Sequence, residues 1–511
     1  MIGLRVALRA VNLRETFRFL VVTGLTAILA YGLALALPLE PMGAFGRPIV
    51  VGAVISALSA WRPVHGLVAF GIVVLMAETV AFWTGADIRY VDEAALVLLA
   101  ATAVTIHRRK LTLTRPGWRA AAALALVGAG VLSSLANEVP PSIWIPGLAL
   151  LTKGIAFFYL VTSLPVDEED IGPAMGSLLI VGLLLVAVGL VEFVAPDLGT
   201  ALGVPPYREQ RGAVDVVTSW FTQPSLYGWI AVFLSLFLFA DFAVRRARWS
   251  LALAILLGGA SVLSGRRIPL LGWIAGLIFG ALHQSGWRGG SRRAWLLIAG
   301  GVLGVVLVSM PLLGGFYRST FEDYFHDVAA VGEIFSEEPD AEVVRPIHPR
   351  IALYAGSMAV ARDEFPLGAG IGRYGSHLSR EEYSPMYARY GLDRVYGLRE
   401  RRPIAITDTF WPMVLGETGA AGLLAALAFF AMLGRDLWRA AGPVASVTVR
   451  VFTLGALLVY VEALVRSTVS GVFVAPPIVY WVFGAAALSL ALRRGVVGTP
   501  SGGAAPPPGP R

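Results

Sequence analysis

Two adjacent arginines, Arg266 and Arg267, stand in the junction LSGRRIPLLG between two apolar runs. Guanidinium forks match phosphate oxygens in a bidentate way. Converging with Arg211, Arg350 and Arg373, the pair would hold a diphosphate at a membrane surface. The competing reading is that arginines at helix ends lay their stems along lipid and their charges among head groups. That reading has the edge for an isolated loop arginine. For Arg266 and Arg267 the tight turn, on the side of the membrane that disfavours positive charge, tips the balance to an anion site. Asp408, in TDTFWPMVLGETGAAGLL, lies where an apolar helix begins. It suits a general base at the water–membrane boundary and equally a helix N-cap. Glu417 follows about two and a half turns later, off the Asp408 face. A buried carboxylate there would orient a loop by accepting its hydrogen bonds, and Gly419 and Gly422 mark a kink or a close approach.

The elements that must position these groups are apolar. The chain has 511 residues, 56% hydrophobic and 15% charged, against about 25% charged in soluble domains. With a mean hydropathy of +0.71, it reads as an all-α polytopic membrane helix bundle of about 12–14 spans. Apolar windows fall at 19–38, 48–61, 65–83, 92–107, 118–136, 144–163, 171–195, 225–244, 249–264, 268–284, 294–313, 408–434, 449–468 and 474–492. Arg5, Arg9, Arg14 and Arg18 precede the first window, without a small-residue cleavage site, as in an uncleaved signal-anchor. Basic residues cluster at 1–18, 108–119, 241–249, 285–293, 435–450 and beyond 493. The positive-inside rule then puts both termini of a multi-pass membrane protein in the cytoplasm and the block 314–407 outside. The acidic segment PVDEED at 164–170 falls inside and carries little weight in that rule. A net charge of +7 needs no nucleic-acid partner on this account.

The outer block splits by charge. Residues 314–344 hold eight acids and one arginine, whereas 345–407 hold ten arginines and six acids. The acidic half reads as a cover. The basic half, with PLGAGIGRYG and the tyrosines Tyr374, Tyr383, Tyr387, Tyr390 and Tyr396, reads as the side nearer a substrate, because glycine-rich backbone can approach an anion. The chain divides into transmembrane helices at 1–195, a core at 196–434 that includes the outer loop 314–407, further helices at 435–494 and a Pro/Gly-rich disordered tail at 495–511.

Other chemistries lack their residues. There is no cysteine, so disulfides and thiolate sites are excluded. His326, His348 and His377 lie in the outer loop without metal-ligand spacing, and no Walker loop or dinucleotide fingerprint occurs. No metal site or cofactor is expected. Lys153 sits inside a predicted helix with no partner legible from the sequence, and Asp92 and Glu93 open another helix, where first-turn acids suit the dipole.

Four segments, from Arg211 to Leu424, resemble the O-antigen ligase / Wzy-type polysaccharide polymerase superfamily. RGAVDVVTSWFTQPSLYGWIAVFL is similar to its external Arg-Gly stretch, and LSGRRIPLLGWIAG to its Arg-bearing junction, matching Arg267. RIALYAGSMAVARDEFPLGAGIGRYG resembles its loop helix ending in Pro-Leu-Gly-x-Gly, and TDTFWPMVLGETGAAGLL its helix after the loop. Ligases carry His where this chain has Thr407 and Asp408, which leans the resemblance toward a polymerase-like or divergent member. The resemblance implies a metal-independent, inverting glycosyltransferase without a cofactor. It would move glycan from undecaprenyl diphosphate to a sugar hydroxyl on another glycan or lipid-linked acceptor, in cell-surface polysaccharide assembly. Arg267, Arg266 and Arg211 would bind the diphosphate, Asp408 would act as the base, Arg350, Arg373 and Glu417 would position loop and substrate, and the tyrosines would stack on sugars. A lipid-linked oligosaccharide flippase and a non-catalytic scaffold are the alternative classes. The gathering of polar residues on one face argues against a midplane transport site.

Overall fold

In a membrane every backbone amide must find its partner within the protein, which leaves the helix as the element these apolar runs can form. The computed structural model describes residues 13–37, 44–88, 90–107, 111, 117–206, 209–211, 214–288, 347–443 and 446–498. The helices are α1 (Leu13–Ala36), α2 (Gly46–Trp61), α3 (Pro63–Thr84), α4 (Val91–Ile106), α5 (Trp118–Ala136), α6 (Pro141–Ser163), α7 (Glu168–Val194) and the short α8 (Pro196–Ala201). They continue with α9 (Pro224–Arg245), α10 (Arg248–Ala260), α11 (Arg267–Arg288), α12 (Pro349–Asp363), α13 (His377–Glu381), α14 (Met386–Arg389), α15 (Trp411–Ala440), α16 (Val447–Ser467) and α17 (Ile478–Gly498). A two-residue antiparallel ladder pairs Gln210–Arg211 with Val214–Asp215.

The protein is an all-α polytopic membrane bundle. Eight helices among the described residues are long and apolar enough to cross a membrane, and α2 and Arg248–Ser264 are shorter apolar helices. Every apolar window predicted within the described residues coincides with a helix. The window 294–313, the acidic stretch 314–344, Arg5 and Arg9 lie outside the described residues, as does the tail from 499. Residues 495–498, expected in the tail, are the last turn of α17.

Two helices form the centre. In α9, 83% of the most apolar window is buried, and in α16, 78%. By contrast α1 leaves Phe17, Leu25 and Ile28 exposed on its outer side, as a lipid-facing helix should. Small residues let the central helices approach closely. A Cβ on Gly258 of α10 would come within 2.3 Å of the Trp273 ring of α11, and one on Gly455 of α16 within 2.4 Å of Phe237 of α9.

The residues from 347 to 407 form a second layer over one end of the bundle. Its own apolar core gathers Ile351, Leu353, Tyr374, Tyr387, Leu392, Val395 and Leu398. This corrects the expectation that the loop tyrosines stack on sugars. Tyr374 and Tyr387 are fully buried, their rings 5.9 Å apart, and their hydroxyls are used internally on Leu353 O, Gly375 N and Ser379. The rings pack among the aliphatic side chains of this layer, since an aromatic ring with a hydroxyl buries a large area once that hydroxyl has a partner. Tyr396 alone of the five is strongly exposed.

Candidate functional site: an arginine–carboxylate cluster at one end of the bundle

Three chain segments meet at the end of the bundle that carries the second layer. The first runs from the 3₁₀ turn Ser261–Ser264 through Gly265, which takes a left-handed φ of 61°. That turn reverses the chain within two residues and puts Arg266 and Arg267 at the start of α11. Val217 N donates to Leu263 O at 3.0 Å, which ties the hairpin segment 209–217 to the same turn. Arg266 Nη2 donates to Glu209 Oε2 at 3.2 Å.

The second segment is the start of α12. His348 caps it by accepting from Arg350 N at 3.3 Å, and Pro349 occupies the first helical position, where its fixed φ and missing N–H cost nothing. Arg350 Nη2 reaches Asp408 Oδ2 at 3.0 Å. Tyr354 O–H, one turn on, donates to Thr468 O at the end of α16.

The third segment is the turn before α15. Asp408 N donates to Ala405 O at 3.1 Å, so Asp408 belongs to a turn. This corrects the expectation that Asp408 opens the helix or caps it: α15 begins at Trp411 with Pro412 in its first turn, and Phe410 stands at the N-cap. The end of α16 fixes that start, since Trp411 Nε1 donates to Ser467 Oγ at 2.8 Å and Phe410 N to Ser467 O at 3.4 Å. The Asp408 carboxylate is thereby left for Arg350.

The cluster shares one electrostatic field. Burial raises the Asp408 carboxyl above its ordinary value, while Arg350 first and then Arg266 pull it back. Burial, Arg350 and Arg267 together push the His348 imidazole down to about 4, so it is neutral at physiological pH. Arg266 meets Glu209 and Arg350 meets Asp408, and Arg267 acts on the same His348 ring as Arg350. The side chains of Arg350 and Asp408 are 29% and 37% exposed, open enough for a solute to reach them. Chemically the arrangement offers arginine forks for an anion and, beside them, a carboxylate whose raised pKa suits it to accept a proton.

A separate clasp holds the second layer in place. Glu417 Oε1 on α15 accepts from Gly372 N at 2.9 Å and Tyr374 N at 3.2 Å. The backbone runs close there because Gly368, Gly370, Gly372 and Gly375 all have positive φ. At Gly419 (φ 62°) the helix itself breaks its regular geometry, and Ala369 N and Ala421 N bond across to Gly416 O and Pro366 O. The end of α5 closes the clasp: Ser133 Oγ donates to Glu417 O at 2.7 Å, and Asn137 Nδ2 to Gly368 O at 2.8 Å.

Of the residues predicted for the site, Arg266, Arg267, Arg350 and Asp408 thus come together. Arg373 is half-buried in the glycine loop beside the Glu417 clasp, and no described interaction joins it or Glu417 to Asp408. Arg211 lies opposite Val214 in the short ladder, and its side chain falls outside what is described.

Sequence reading missed Glu209 and gave no role to His348, although a histidine before Pro-Arg at a helix start was a usable signal. It also missed the partners of Lys153. Lys153 Nζ donates to Asp92 Oδ2 at 2.8 Å and Glu93 Oε1 at 2.9 Å, and Tyr480 O–H donates to Asp92 Oδ2 at 2.9 Å. A second buried pair, Glu462–Arg466 on α16, closes at 2.7 Å against Gly272 of α11.

No family model matches this chain, and no curated protein matches its sequence.

Proposed function

We propose that the protein is a membrane glycan polymerase or ligase of the O-antigen ligase / Wzy type. It would transfer glycan from undecaprenyl diphosphate to a sugar hydroxyl on the extracytoplasmic face of a bacterial inner membrane, in O-antigen or exopolysaccharide assembly. The observation that carries this reading is the Arg350–Asp408 contact at 3.0 Å beside Arg266 and Arg267. It joins an anion-binding group to a proton acceptor where a membrane-anchored substrate meets water.

On this reading the acceptor hydroxyl attacks the anomeric carbon. A new C–O bond forms as the bond from that carbon to the diphosphate oxygen breaks. The electron pair leaves with the diphosphate, where Arg266 and Arg267 offset the growing charge. The hydroxyl proton passes to Asp408. Attack opposite the leaving group inverts the anomeric configuration. Glu209 and Asp408 occupy arginines of the cluster, so an incoming diphosphate exchanges with carboxylates already in place. Both termini would lie in the cytoplasm.

The test is chain extension by the purified protein in liposomes supplied with lipid-linked glycan. Extension abolished in both Arg267→Ala and Asp408→Asn is the expected result. Normal extension in both variants overturns the site. Lipid translocation without glycosyl transfer replaces the enzyme with a flippase.

A further inference from the structure

A second feature lies far from the arginine–carboxylate cluster. Gly228, in the second turn of α9, packs on Ser264, whose hydroxyl accepts from Arg266 N. The 22 residues of α9 then carry the chain about 33 Å toward the opposite membrane face. Along the far half of α9 opens a cavity of about 730 Å³, well inside the range of about 300–1,000 Å³ for ligand pockets. It follows α9 from Phe233 to Arg245, about 18 Å of helix, which is the dimension of a lipid chain rather than of a compact solute.

Its wall is almost wholly apolar, with Leu67, Phe157, Leu179, Phe237, Phe452 and Leu488 among the lining side chains. Its Phe233 end is aromatic, with the Trp481 ring 5.3 Å from that of Phe233. The charged groups gather at the other end, in the turn from α9 to α10, where Asp241, Arg245, Arg248 and Trp249 line the mouth. Asp241 is already shared: Arg245 Nε lies 3.0 Å from it, and Ser250 Oγ donates to it at 2.5 Å. Arg246, held at φ 60°, and Arg248 are both exposed, and no carboxylate among the described residues pairs with either.

We propose that this cavity holds an acyl chain of an anionic phospholipid from the adjacent leaflet, with the lipid phosphate seated on Arg246 and Arg248. The chain removes the apolar wall from contact with water. The phosphate balances the two arginines, which near a bilayer surface attract anionic head groups, and Trp249 lines the cavity beside Arg248, an indole of the kind enriched at membrane–water interfaces. A zwitterionic lipid would bring a cation of its own toward the arginines, so the mouth discriminates by charge. The site does not depend on the transfer reading: it lies at the other face, and its occupant is a resident lipid.

The experiment uses the full-length protein, delipidated in detergent and titrated with phosphatidylglycerol, phosphatidylcholine or undecaprenyl phosphate, with native mass spectrometry as the readout. The expected result is a single phosphatidylglycerol adduct held about tenfold or more tighter than phosphatidylcholine. The preference should fall to near parity in the double variant Arg246→Gln/Arg248→Gln. Gly172→Trp should weaken all binding, because Gly172 lines the cavity and a Cβ there meets nothing within 4 Å. Equal retention of the two phospholipids, or a preference that survives the arginine variant, overturns the proposal. Tighter binding of undecaprenyl phosphate than of phosphatidylglycerol overturns the assigned occupant. Should Gly172→Trp lose its helical circular dichroism, the arginine variant decides the matter alone, since both of its positions are exposed.

Discussion

Arg350 and Asp408 are 58 residues apart in the chain and 3.0 Å apart in the fold. Neither is held by its own element alone. The start of α12 delivers Arg350, and the turn Ala405–Asp408 delivers the carboxylate. The end of α16 ties the two segments together through Thr468 and Ser467. The pair is therefore assembled by the bundle, and its chemistry follows from what surrounds it.

The pH dependence of glycosyl transfer should carry that signature. A base must be deprotonated, so activity is present above the folded pKa of Asp408 and lost as pH falls through it. Burial raises this pKa while Arg350 and Arg266 lower it. The acidic limb of kcat/KM should thus lie above the ordinary aspartate value of about 3.9. In Arg350→Gln it should move to still higher pH, because the larger opposing influence is gone. His348, held at about 4, should add no limb near the usual histidine value of about 6.5. A limb that stays in place in Arg350→Gln would remove Asp408 from the base role.

Loss of Arg267 should act on the chemical step. A preorganised group facing charge that develops on a leaving diphosphate is worth about 10²–10³ in kcat. Arg267→Ala should show that loss, with Arg267→Lys recovering part of it as a point charge without the fork. A change confined to KM would mean that Arg267 binds substrate and transition state alike.

The Glu417 clasp predicts a structural phenotype. Glu417→Ala leaves Gly372 N and Tyr374 N without their buried acceptor, at about 1–3 kcal/mol for such a loss. The thermal midpoint in detergent should fall, and limited proteolysis should open sites within 347–407 first. Gly419→Ala should be worse, since its Cβ would stand 2.2 Å from Pro366 O at a φ of 62°. An unchanged midpoint in both variants would show that the second layer docks by other means.

Lys153 gives a combined-variant test within the membrane. Its side chain is 6% exposed and that of Asp92 8%. Lys153→Met should destabilise by about 3–5 kcal/mol, the penalty for leaving a buried partner charge uncompensated. Adding Asp92→Asn and Glu93→Gln should restore much of the loss. Additive damage in the combined variant would mean that the triad is not an energetic unit.

What the sequence determined by itself is the bundle. Hydropathy and helical length are local properties, so each apolar window within the described residues could be read where it stands, from Pro63–Thr84 to Val447–Ser467. The turn at Gly265 was legible for the same reason, since a glycine between two apolar runs and two arginines is a local signal. Pairings were not legible. Lys153 gave no hint of Asp92, 61 residues away, because which helix faces meet depends on packing across the whole bundle. Tertiary contact also decided the start of α15. Ser467 and Pro412 place it at Trp411, and Asp408 becomes the partner of Arg350 where composition alone suggested a cap. It decided the tyrosines too. An aromatic ring with a hydroxyl serves a core as well as a surface, and only the shape of the second layer buried Tyr374 and Tyr387 while leaving Tyr396 in water.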